Sequence, residues 1–116
     1  MRNQEAAQMR AVLVDEGTHD AELIDVRTFS GSFGDRVGLV FRIGAGAHGG
    51  VELLESAALN GSARGKLAEL LRGLGGGGGT LESARALIGT ACRITVRHQA
   101  TRAGTPYAAV LQTFKR

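Results

Sequence analysis

Four side chains in this sequence have the chemistry of metal ligands: His19, His48, His98 and Cys92. No two of them stand at the short spacings of zinc or other transition-metal sites. His98 shares the alternation phase of Ile94 and Val96, which makes it a rim or satisfied core residue. Cys92 reads as a small buried hydrophobe. A serine nucleophile on a strained turn needs Gly-x-Ser-x-Gly; Ser30-Gly31-Ser32-Phe33-Gly34 has serine in the first glycine's place. The segment Gly44 to Gly50 contains G-x-G-x-x-G at Gly44, Gly46 and Gly49. A dinucleotide fingerprint also needs a following helix and a doubly wound sheet, which this chain is too short to supply, so the segment is expected to be a loop. The glycine run Gly75–Gly79 lacks the Lys-Ser/Thr of a phosphate cradle. Asp15-Glu16 reads as a turn. No enzymatic activity, metal or cofactor is expected.

What remains is the chemistry of charge and stacking. Binding to a single-stranded nucleic acid takes cations along the backbone and aromatic platforms for the bases. Arg36, Arg42, Arg93 and Arg97 occupy outward strand positions, with Arg27 nearby and Arg102 in a loop. Arg93 and Arg97 are expected to face out together at the spacing of successive phosphates. Phe29, Phe33 and Tyr107 fall at strand ends or loops. Tyr107 suits either surface stacking or a barrel rim, because its hydroxyl tolerates water or an interface. Phe41 and Phe114 share the phase of apolar neighbours and are expected in the core. Each arginine alone fits a solvated face; the group together fits a polyanion.

These residues must be positioned by strands. From Thr18 to Ile43 two apolar-alternating runs flank a Gly- and Ser-rich segment, the pattern of a β-hairpin. Val37, Leu39, Phe41 and Ile43 point one way and Arg36, Gly38, Val40 and Arg42 the other. A change of phase at Leu23-Ile24 predicts a bend or bulge. Residues 51–58 fit helix or strand on pattern and are taken as a third strand. A helix is expected over 63–71, capped by Ser62, with Leu67, Leu70, Leu71 and Leu74 on one face. The glycine-rich stretch 73–79 is read as a flexible connector. Thr80 should cap a helical turn over 81–88, and Gly89 should stop it. Strands at 91–99 and 107–115 complete the chain. In the last, Ala108, Val110, Gln112 and Phe114 alternate against Tyr107, Ala109, Leu111 and Thr113. Three strands, a helix, a helical turn and two strands match the five-stranded OB-type Greek-key barrel, mainly β, with one helix between the third and fourth strands.

Composition sets the outer bounds. One domain is expected from 116 residues, 43% of them apolar: an arm at 1–16, then a single domain at 17–116. No apolar run reaches the length of a membrane span, no signal core opens the chain, and one cysteine fits a reducing compartment, so a cytoplasmic protein is expected. The net charge of +3 is unevenly spread. Residues 1–35 hold three basic and seven acidic groups; residues 36–116 hold eleven basic and four acidic. The basic distal part is compatible with a polyanionic partner. The excess of arginine over lysine is equally what a GC-rich genome would leave.

The segments GTHDAELIDVRTFSGSFGDRVGLVFRI, SARGKLAELLRGL, LIGTACRITVRHQ and GTPYAAVLQTF resemble small bacterial and phage OB-fold proteins described as single-stranded DNA-binding. Gly17-Thr18, Ser32-Phe33-Gly34, Lys66-Leu67, Leu87-Ile88-Gly89 and Cys92 match the recurring form of that family; His19 stands where the form has an aromatic. The resemblance runs from residue 17 nearly to the end and implies an accessory role in phage or mobile-element replication or recombination. Its motifs are structural rather than catalytic. The alternative is an OB-type adaptor or assembly component that contacts proteins, or copies of itself, and has no affinity for nucleic acid.

Overall fold

The computed structural model describes residues 13–32, 34–60 and 64–116. Most of the expected arm, Phe33, Ser62 and Ala63 lie outside the described residues. The chain forms β1 (Gly17–Gly31), β2 (Gly34–Ile43), β3 (Glu52–Ala58), α1 (Lys66–Gly73), α2 (Leu81–Arg85), β4 (Ala91–Ala100) and β5 (Pro106–Lys115). All five strands belong to one antiparallel sheet in the order β3-β2-β1-β4-β5.

The hairpin read from the sequence is the centre of this sheet. Gly31 pairs with Gly34 at its tip and Ala21 with Ile43 at its base. The ladder skips a residue between Leu23 and Asp25, which is the irregularity expected at Leu23-Ile24. On its other side Leu23 carries the β1–β4 contact one step further: its N–H donates to the Thr90 carbonyl, and its own carbonyl accepts from Gly89 N–H at 2.7 Å. The residues that stop α2 are thereby fastened to the middle of β1. Gly89 adopts φ +97°, the left-handed geometry that ends a helical turn at little cost only for glycine.

β2 is buried at every residue from Val37 to Phe41, although strict alternation would expose Gly38 and Val40. On the outer face Leu54 of β3 lies over Gly38, where an added Cβ would stand 3.1 Å from it. The inner set, Val37, Leu39, Phe41 and Ile43, fills the core with Leu23, Ile94, Val96 and Val110.

α1 starts at Lys66 with Gly65 at its N-cap, later than the expected start at residue 63; the expected Ser62 cap lies outside the described residues. Its buried face is Leu67, Ala68, Leu70 and Leu71, the face foreseen from the leucine spacing. The last residue of α1, Gly73, lies against β5 so closely that a Cβ would stand 2.1 Å from the Thr113 carbonyl oxygen. The Thr113 hydroxyl donates to the Leu70 carbonyl at 2.6 Å and ties the same turn to the strand. α2 is shorter than the expected 81–88, and Thr80 caps it reciprocally with Ser83.

β5 departs from its expected alternation. Thr95 pairs with Gln112 but Val96 pairs with Val110, so Leu111 is an extra residue. The bulge shifts the phase of everything after it. Thr113 turns in and Phe114, expected in the core, is 45% exposed.

Among the described residues no backbone ladder joins β3 to β5, so the closed barrel is not formed by hydrogen-bonded strands. A side chain spans the gap. Glu55 of β3 is buried; its Oε1 accepts from Val110 N–H of β5 at 2.8 Å, and its Oε2 binds the Lys66 ammonium. Lys66 also donates to the Ser56 carbonyl at 2.9 Å, which fastens the start of α1 to β3.

Candidate functional site

The outward side chains of the sheet fall into three regions, set by strand register. β1 is 15 residues long, and only Gly17–Glu22 is paired with β4. Its far end makes a hairpin with β2, while the far end of β4 makes another with β5. Because β1 and β4 are antiparallel, the two hairpins project from opposite ends of the sheet.

At the β1–β2 end stand Arg27, Phe29 and Arg36. Arg27 Nε donates to Asp25 Oδ2 at 3.1 Å. Asp25 also accepts from Val26 N–H, and these bonds, that of Arg27 foremost, hold its carboxyl below the ordinary carboxylate range. Arg36 donates to the neutral Ser56 hydroxyl at 3.1 Å. Phe29 is 43% exposed. Phe33 lies outside the described residues.

In the middle, the arginines are matched by acids. Arg42 pairs with Glu52 at 3.1 Å, a direct cross-strand neighbour. Arg93 pairs with Asp20 at 3.2 Å, again across a strand pair, and Arg116 reaches the other oxygen of Asp20 at 3.3 Å. Arg93 and Arg97 do face outward together, but they stand four positions apart, with three residues between them. That is roughly 13 Å along the strand, about twice the separation of successive outward residues. The pair therefore does not match neighbouring phosphates, contrary to the expectation from the sequence.

At the β4–β5 end, Arg97, Gln99, Arg102 and Tyr107 are all exposed. The Tyr107 hydroxyl donates to Gln99 Oε1 at 3.2 Å, across the strand pair. Residues 97–107 contain no Asp or Glu. Among the described residues Arg97 and Arg102 join no ion pair. The nine predicted site residues are thus divided between two hairpins and an ion-paired middle, with one outside the described residues.

The histidines, far apart in sequence, meet at one place. His98 Nε2 donates to the Val14 carbonyl at 2.8 Å and His19 Nε2 to the Asp15 carbonyl at 2.7 Å. His48 Nε2 lies 3.4 Å from Asp15 Oδ2 and from Asp15 N. Glu16 returns a bond, accepting from His98 N–H at 2.8 Å. The three imidazoles therefore clasp Val14–Glu16, and Val14 itself is fully buried. No spacing rule could have found this, since the contacts span up to 84 residues. Among the described residues no group of three or more His, Cys, Asp or Glu is arranged to hold a metal ion. Burial pushes the Cys92 thiol up to about 11, so it stays protonated and inert at neutral pH.

The glycine loop between β2 and β3 closes on itself. Gly50 N–H donates to the Ile43 carbonyl at 2.8 Å, and Gly46 and Gly50 take φ +85° and +89°. An antiparallel strand follows rather than a helix, so the dinucleotide reading has no structural counterpart. No helix among the described residues is long and apolar enough to cross a membrane. No protein-family model matches the sequence, and no curated protein is similar to it.

Proposed function

We propose that the protein is an OB-type, non-catalytic single-stranded DNA-binding accessory protein, acting in the cytoplasm in phage or mobile-element replication or recombination. The observation that carries this reading is the β4–β5 hairpin. It projects past β1 and presents Arg97, Arg102 and Tyr107, and among the described residues neither arginine joins an ion pair. Two cations and an exposed aromatic on a two-stranded ribbon are the elements that grip a flexible polyanion with unstacked bases. The strand order, the helix between β3 and β4, and the Glu55 link between the two edges support the OB-type assignment.

Fluorescence anisotropy of labelled oligo-dT at two salt concentrations tests the proposal. Binding should weaken with salt, with a logarithmic slope of about −0.7 per phosphate neutralised. R97E/R102E should abolish it while circular dichroism stays unchanged. Full binding in that variant would clear the hairpin. No binding by the wild type would favour the adaptor reading. That second reading has its own observations: Arg27, Arg42 and Arg93 are already paired with acids, and Leu54, Leu111 and Phe114 are exposed.

A further inference from the structure

The outer face of the β4–β5 ribbon continues well past the hairpin tip. Strand register puts Arg97 opposite Ala109, Thr95 opposite Gln112 and Arg93 opposite Phe114, on the same face as Gln99 and Tyr107. The other face of β4 carries Cys92, Ile94 and Val96, all fully buried, so the core fixes which set points out. Phe114 reaches the outer face because Leu111 is an extra residue in β5; unbroken alternation would give it the inward phase of Val110. An aromatic ring is thereby held 45% exposed at one end of this face, with Tyr107 39% exposed at the other.

Charge on this ribbon has one sign. Residues 91–116 contain five cations, Arg93, Arg97, Arg102, Lys115 and Arg116, and no Asp or Glu. Among the ion pairs of the described residues, the acid that reaches these cations is Asp20 of β1. It takes the Nε–H of Arg93 in a pair whose two side chains are about half exposed, so water screens the pair and a phosphate can compete for the guanidinium. An arginine beside an exposed ring therefore occurs twice: Arg93 lies directly across from Phe114, and Arg97 diagonally from Tyr107. A basic face alone fits any polyanion. Rings set beside the cations fit one whose charged backbone carries planar groups.

We propose that single-stranded DNA runs along the whole outer face of β4–β5, with Phe114 as a second stacking platform and Arg93 and Arg97 on the phosphates beside the two rings. The proposal rests on the nucleic-acid reading and supplies the footprint of its site. Gln99 and Arg93, the ladder partners of the two rings, stand six positions apart on β4, roughly 20 Å along the strand. A strand stacked as in B-DNA covers that distance in about six nucleotide steps, and an unstacked strand in fewer. The oligomer dT9 is therefore long enough to meet both rings at once.

Phe114→Trp puts the chain's only tryptophan on this face and supplies the test. Its fluorescence should fall when dT9 is added and stay constant with an abasic oligomer of the same length, which has the phosphates without the bases. Phe114→Ala should weaken dT9 binding about tenfold, the worth of one stacked base, with an unchanged circular dichroism spectrum. If dT9 binds and R97E/R102E abolishes the binding, but the tryptophan signal does not move and Phe114→Ala binds like the wild type, the track is overturned and the DNA reading stands on the hairpin alone. Equal quenching by dT9 and the abasic oligomer would also overturn it, because the ring would then report no base. If dT9 does not bind the wild type, the DNA reading and the track fall together.

Discussion

Two buried groups make opposite demands at the scale of single residues. Cys92 is fully buried among apolar neighbours and its thiol is pushed from 9.0 to about 11. The native protein therefore holds this proton where the unfolded chain gives it up. The contribution is fully present below pH 9 and is lost as pH rises through about 11, up to about 3 kcal/mol by linkage. Denaturant titrations of the wild type and Cys92→Ala between pH 8 and 11 should show the slope shallower in the variant. Asp25 has the opposite sign: its carboxyl is lowered, so its contribution holds above the ordinary 3.8 and is lost on acidification below it. Glu55 is the more consequential acid. Glu55→Ala leaves the Val110 N–H and the Lys66 ammonium without their carboxylate, and should cost about 3 kcal/mol in chemical unfolding. Glu55→Gln keeps an acceptor for Val110 and should cost clearly less.

Glycines decide how the elements fit. Gly73 ends α1 where a single methyl group would overlap the Thr113 carbonyl. Gly73→Ala must push α1 off β5, and a loss of at least about 2 kcal/mol is expected from overpacking of this kind. Gly77, four residues on, has open space around its Cβ position and no left-handed φ. Gly77→Ala should instead gain about 0.5 kcal/mol through the unfolded chain. Thermal melts of the two variants measured together would separate the helix-to-strand contact from the general cost of glycine. Members of the run 75–79 also differ among themselves: Gly76 lies against Leu87, with 2.7 Å from its Cβ position to Leu87 Cδ1, and its N–H donates to the Leu71 carbonyl. The stretch thus contributes to how α1 ends as well as joining it to α2.

The whole molecule is one five-stranded sheet whose edge strands β3 and β5 are linked by the Glu55 carboxylate, and whose central arginines are paired with acids. Asp20 holds both Arg93 and Arg116. If DNA crosses this part of the sheet, Asp20 competes with it. Asp20→Asn should then raise oligo-dT affinity about two- to fivefold, the worth of exposed ion pairs, and steepen the salt dependence. An unchanged affinity in anisotropy titrations would mean that the strand bypasses the middle of the sheet.

Short-range pattern alone determined much of this protein. The inward set Val37, Leu39, Phe41 and Ile43, the alternation in residues 91–97, the Gly-Ser turn between two apolar runs, the leucine face of α1, the Thr80 cap and the Gly89 stop are local physics, and each appears where its residues put it. The bulge at Leu23-Ile24 was legible because two adjacent apolar residues break a period of two. The bulge at Leu111 was not: any phase fits the mixed small and apolar residues of β5, and only pairing with β4 selects one, turning Thr113 in and Phe114 out. The outward arginines could be named from the sequence, but not their partners, because Asp20 and Arg93 are 73 residues apart and meet only through register. The same holds for Glu55 and Val110 across the seam and for the histidine clasp on Val14–Glu16. Where a strand keeps an unbroken period, local pattern fixes which way a side chain points; what it meets there, and where an unmarked bulge turns the phase, are decided by strand order and register, to which the single chain gives no local clue.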